Sequence, residues 1–188
     1  MTTIDTLLSR RSIPAQCLTD PGPDAAQLAM AFDAALRAPD HGRMQPWRFK
    51  LIRGPARTKF AELLVGAARA RDPATPPAQL EKLRSRPLHV PLVIAVSARL
   101  RDNPKVPQIE QLLSSGAGVM NILNALHAQG FGAIWLTGPS AYDPVVAAGL
   151  GLEGEEQLLG FVYAGTVGAV VPAAPARPAH AAFVSEFQ

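Results

Sequence analysis

The segment from Gln108 to Gln129 constrains this chain more than any other. Its apolar residues Leu112, Leu113, Val119, Met120, Ile122, Leu123, Ala125 and Leu126 recur so densely that, on a helical period, they face almost every direction. A helix of that kind cannot be solvated, so the chain is expected to fold around it. Small residues Ser114, Ser115, Gly116, Ala117 and Gly118 interrupt its first half and permit close approach by another helix or a flat ligand. A second copy of the same helix could supply part of the cover. Composition points the same way: 48% hydrophobic against 18% charged residues excludes a disordered chain and implies a surface that is itself partly covered, as in an oligomer.

At 188 residues the chain is long enough for one well-buried domain, expected to span 1–188. Periodicity and caps predict a short amphipathic helix over 4–11 after Thr2 or Thr3, and a second over 25–37 capped by Asp24. A strand over 47–53, a helix over 56–71, a short helix over 80–86 after a proline-rich loop, and a buried strand near 91–97 follow. After the central helix, FGAIWLTG reads as a strand entering a glycine turn. Asp143 and Pro144 open a brief helix, QLLGFVYAGTVG forms another strand, and AHAAFVSEF a last, edge or exchanged strand.

Several function classes lose support. The balance of 18 basic and 15 acidic residues gives only +3, with no aromatic-basic run of a nucleic-acid module. The start MTTIDTLLSRRS has no secretory pattern, and no stretch reaches the roughly 18 apolar residues of a membrane span, so a soluble cytoplasmic protein is expected. Cys17 is the single cysteine, and His41, His89, His127 and His180 are far apart with no metal-binding spacing. No nucleophile elbow, phosphate loop or dinucleotide fingerprint occurs. His127 reads as a satisfied core or helix-end imidazole rather than an acid-base group, and Lys105 with Glu110 as a solvated surface pair in preference to site groups.

The densest chemistry lies in Arg37 to Phe49, RAPDHGRMQPWRF, a loop between helix and strand with Trp47 as its anchor. Arg10, Arg11 and Ser12 either complement a helix dipole or form a forked clamp for phosphate. Together with Arg37, His41 and the turn at Trp135 to Gly138 they give the profile of an extended anionic ligand.

In the words RRS at 10–12, RAPDHGRMQPWRF at 37–49, AQGFGAIWLTG at 128–138 and GFVYAGT at 160–166, the chain resembles the nitroreductase family of flavoproteins, particularly its short single-domain members. The resemblance implies a three-layer α+β fold with a mostly antiparallel central sheet flanked by helices. It also implies an interlocked homodimer with FMN at the subunit interface, NADH or NADPH as electron donor, and a nitro compound, quinone or similar small electron-poor acceptor. By motif, Arg10, Arg11 and Ser12 would hold phosphate and ribityl oxygens. Arg37 and His41 would approach the flavin from the partner, and Trp135, Leu136 and Thr137 would line the ring or its polar edge. The nicotinamide-associated segment of short members falls on Ala125, Leu126, His127, Ala128, Gln129 and Gly130. Arg177 lies where many relatives place a late basic phosphate contact and stands outside the main set. The wider family often has Ser-Ser-x-Asn before Gln-Pro-Trp; the Asp40, His41, Gly42, Arg43 sequence here matches a short-member variant and leaves open which of Asp40, His41 and Arg43 faces the ring. A flavin-binding or flavin-handling protein with little turnover is the alternative reading, and a dimeric scaffold a third.

Overall fold

Strand β5, Glu156–Val167, is the axis around which the other elements assemble in the computed structural model, which describes residues 2–188. On one edge it pairs with β3, Leu92–Arg99, which pairs in turn with β2, Trp47–Arg53; the two-residue β1, Leu18–Thr19, continues that edge beyond β3. On the other edge lies β4, Phe131–Leu136. Every pairing is antiparallel. The sequence holds no hydrophobic run long enough to mark β1, which exists only because Leu18 and Thr19 meet Val167 and Thr166.

Side-chain alternation on β3 and β5 builds two cores, one on each face of the sheet. Val93, Ala95, Phe161 and Tyr163 join α3 (Ala56–Arg71), α4 (Pro77–His89) and α6 (Pro144–Gly149) on one face. Leu92, Ile94, Val96, Val162 and Ala164 meet α2 (Ala25–Ala35) and α5 (Gln108–Ala128) on the other. The result is helices, sheet, helices: the expected three layers. Burial on both faces explains why β3 reads as an unbroken apolar run rather than an alternating one.

Local chemistry accounts for most helix boundaries. Asp24 accepts from Gln27 N at 2.8 Å while the Gln27 side chain accepts from Asp24 N at 2.9 Å, a reciprocal cap for α2. Thr2 and Asp5 cap α1, Thr3–Ser9, in the same way. α4 begins earlier and ends later than the segment 80–86, because Pro77 suits the first helical turn and Pro87 falls in its last.

Two expectations are corrected. α5 is not covered all round: Ile109, Leu113 and Met120 are 59%, 66% and 42% exposed, since one sheet and α2 can cover only part of a helix circumference. Of its small residues, Gly118 admits α2, as a Cβ there would sit 3.4 Å from the Ala35 carbonyl oxygen. The tail forms no strand within the chain. It makes a 3-10 turn at His180–Ala182 and leaves Phe183, Val184 and Phe187 exposed.

A register shift between Val96 and Ser97 leaves Leu159 as an extra residue on β5, with Gly160 at φ +127°. The bulge aims the Leu159 carbonyl at Trp135, whose Nε1 donates to it at 3.2 Å. A Cβ at position 160 would lie 2.6 Å from the Leu136 carbonyl oxygen. Gly160→Ala is therefore expected to lower stability by about 2–4 kcal/mol, through backbone strain and crowding of β4; urea unfolding monitored by Trp fluorescence measures it.

Candidate functional site

The backbone leaving α1 runs beside β4, with Ile13 N donating to Ala133 O at 3.0 Å. It then turns at Ala15–Cys17 towards α4, where His89 Nε2 lies 2.9 Å from Gln16 O and, facing a carbonyl, must carry the proton. Between this turn, α4 and β4 opens a cavity of about 450 Å³, within the range of small-molecule sites. Pro14, Ala15, Ile134 and Leu136 give it apolar walls, and Gln16, Lys82, Ser85 and Arg86 give it donors. On the far side of α4, Arg84 is taken up by Glu62 at 2.8 Å and Glu81 at 3.3 Å. Carboxylates are thus kept to the opposite side, leaving the cavity face cationic.

Tyr163 lies beneath this wall, buried with Arg86 nearby. Burial pushes its pKa up to about 12, against the opposing pull of the Arg86 charge.

At the other end of the turn, Arg10 carries a buried Nε that meets no hydrogen-bond partner. Its pKa is depressed by burial first and then by the neighbouring charge of Arg177. Two guanidinium groups held together, one with a buried donor to spare, make a seat for an anion. Arg11 instead donates through Nη1 to Pro172 O at 2.6 Å, fastening the tail that carries Arg177 alongside Arg10. Arg10 is the C-cap residue of α1, so its charge also complements the helix dipole, while Arg11 lies one residue beyond. Ser12 is exposed beside them.

The remaining candidates separate by strand and face. Leu136 lines the cavity, but Trp135 packs on the α5 face of the sheet, because successive side chains of β4 alternate. The indole of Trp135 is therefore an anchor into the bulge, not a wall of the cavity. Thr137 is exposed beyond the strand end. Arg37 and His41 also lie on the α5 side; His41 borders a second cavity of about 300 Å³ with Pro39, Glu110, Leu113, Ser114 and Ala117. Glu110 pairs with His41, at 2.6 Å from Nδ1, and not with Lys105, correcting the surface-pair expectation.

Asp40 is occupied in holding its own loop, its two oxygens accepting from Met44 N at 3.1 Å and Gln45 N at 2.8 Å. It is a clamp, which leaves Arg43 and the Nε2 edge of His41, whose Nδ1 is held by Glu110, to reach outward. In the segment Ala125 to Gly130, Leu126 is fully buried in the α2–α5 core, so no dinucleotide can touch its side chain. His127 Nε2 sits 3.0 Å from Ser9 Oγ, and Gln129 donates to Gln27 O at 3.2 Å. The segment borders neither cavity. Sequence reasoning missed Gln16, Lys82, Ser85 and Arg86; the one available signal was the repeat of basic and hydroxyl residues on one side of LEKLRSRPLH.

Among the described residues no group of three His, Cys, Asp or Glu could hold a metal ion, and no helix is long and apolar enough to cross a membrane. The fold is a three-layer α+β arrangement with an apolar-walled, cationic cavity at one sheet face. The chain belongs to the nitroreductase family, whose model matches residues 7–166. It is 39% identical over 166 residues to the protein named "Putative NAD(P)H nitroreductase YdjA" of Escherichia coli (strain K12), covering 88% of each chain. A nitroreductase-like family protein from Bacillus cereus has the same fold, with a TM-score of 0.85 at 22% identity over 100% of this chain and 97% of that one. So does a nitroreductase with bound FMN from Bacteroides fragilis, with a TM-score of 0.74 at 20% identity over 100% of both chains.

The buried phenol beneath Arg86 supplies a test of this part of the core. The unfolded chain releases a tyrosine proton near pH ~10, whereas folded Tyr163 holds it to about 12. Between these values the unfolded state binds fewer protons, so stability should fall as pH rises from about 10 to about 12. Tyr163→Phe should remove that part of the slope, read from urea midpoints across the alkaline range.

Proposed function

We propose that this protein is an FMN-dependent NAD(P)H oxidoreductase, working as a homodimer on nitro compounds, quinones or a similar small electron-poor acceptor. The observation that carries the reading is the buried, unpartnered Nε of Arg10, which feels the charge of Arg177 and stands four residues before Pro14, where the chain begins to wall a cavity with apolar sides and a cationic face. A phosphate answers the arginines, and a flat ring with a carbonyl edge answers the cavity.

FMN, when bound, accepts a hydride from NAD(P)H and delivers reducing equivalents to the acceptor, so the protein need supply no acid, base or nucleophile. The task left to the chain is binding and orientation. Arg10 and Arg177 hold the phosphate, with Arg11 fixing the tail and Ser12 supplying a hydroxyl. Pro14, Ile134 and Leu136 form the apolar bed. Gln16, Lys82, Ser85 and Arg86 donate to the polar edge, where cationic donors favour negative charge on the reduced ring. With no separate dinucleotide fold, donor and acceptor would use the same open face in turn, giving ping-pong order.

A second copy completes the site. Arg37 and His41 lie across the sheet from the cavity of their own chain, so they serve it only from a partner. The exposed apolar row of α5 and the tail with Phe183, Val184 and Phe187 offer the area such a partner would cover.

Purified protein is expected to be yellow, and anaerobic NADH or NADPH should bleach its flavin absorbance; flavin that neither dinucleotide bleaches would point to flavin handling instead. Arg10→Ala should weaken FMN binding by about 1–3 kcal/mol, measured by flavin fluorescence on release. Dilution to monomer should release FMN, and a monomer that retains it would refute the shared site.

A further inference from the structure

We infer that Glu110 is a positioning residue, fixing the His41 imidazole so that its Nε2 is the atom presented to the flavin held by the partner subunit. The inference rests on the reading given above for His41 and adds a residue to it.

The contact joins two elements remote in sequence. His41 Nδ1 and Glu110 Oε2 are 2.6 Å apart although 69 residues separate them. A carboxylate facing Nδ1 accepts its proton, so Nδ1 is committed and Nε2 is the only ring nitrogen left for another partner. The orientation of the ring is thereby set from the first turn of α5, a rigid element, rather than by the loop alone.

The loop itself is held more tightly than a helix-to-strand connection requires. Arg43 and Gln45 both take left-handed backbone, at φ +53° and +48°, and Asp40 clamps the following two amides. Gly42, at φ +68°, lies so close to Val106 that a Cβ would come within 2.9 Å of its Cγ2. Strain of this kind persists only where the surroundings impose it. Here they impose a fixed place for one imidazole at the mouth of the cavity bordered by Leu113 and Ser114.

An ordinary surface ion pair would contribute little and would orient nothing. His41 and Glu110 are 56% and 41% exposed in the single chain, but they adjoin the uncovered row of α5, so a seated partner would desolvate the pair.

The test is a double-mutant cycle on the full-length flavin-loaded dimer, reading FMN affinity and the flavin midpoint potential. His41→Ala and Glu110→Ala should each weaken FMN about five- to tenfold and move the potential in the same direction. The double variant should be no worse than either single one, because Glu110 acts only through the ring. Glu110→Gln should stay near wild type, since its amide oxygen still accepts from Nδ1. Additive losses, or a Glu110→Ala protein indistinguishable from wild type while His41→Ala is impaired, would overturn the positioning role. Wild-type affinity in His41→Ala would remove His41 from the flavin site and the inference with it; bleaching by NAD(P)H would then still support the reductase. Independently of any variant, the ring nitrogens of His41 in the wild-type dimer can be read by long-range proton–nitrogen NMR. A proton on Nδ1 is expected, and a neutral ring protonated at Nε2 alone would contradict it.

Discussion

The antiparallel pairing of β3 with β5, buried on both faces, is the constraint on which the rest depends. Both strands feed two cores at once, so their alternation decides which helices lie on which side. Residues such as Ile94 and Val162 are fully excluded from water, and each contributes on the order of 1.5–3 kcal/mol by burial. The bulge at Leu159 interrupts the alternation at one place only. That interruption turns a carbonyl towards the Trp135 indole and so fixes the end of β4, where the cavity begins.

The two-sided sheet also explains why the binding groups come in two sets. The α4 cavity belongs to the surroundings of one face; His41 and Glu110, beside α5, belong to the other. A single chain cannot bring them together, because its own sheet stands between. In the proposed homodimer, packing along α5 would resolve both this separation and the exposed apolar row, and would link assembly to cofactor binding in one surface.

Charge is distributed to the same end. α4 carries alternating roles around its circumference, with Arg84 neutralised by Glu62 and Glu81 on one side and Lys82 and Arg86 turned to the cavity on the other. Arg86, next to Tyr163, is accommodated without a carboxylate, so the cavity wall it forms keeps its positive charge. In the proposed site, a flavin gaining negative charge on reduction would be stabilised by such a wall in proportion to how little water reaches it.

By itself the sequence determined the helices and four of the five strands, the anchoring of the loop by Trp47, and the candidates Arg10, His41 and Leu136. Periodicity, caps and residue chemistry are local properties, and they survive in a linear string. The family words imply a flavin site for those candidates, but words assign positions and not directions. Tertiary structure alone decided that Trp135 faces away from the cavity that Leu136 lines, that Asp40 is spent on its own loop, and that Leu126 is sealed in the core. It also brought in Gln16, Lys82 and Arg86, joined Glu110 to His41 across 69 residues, and left one side of α5 bare. Each of these depends on which face of an element meets which neighbour. That is set by long-range pairing and by the bulge on β5, and no local pattern records it.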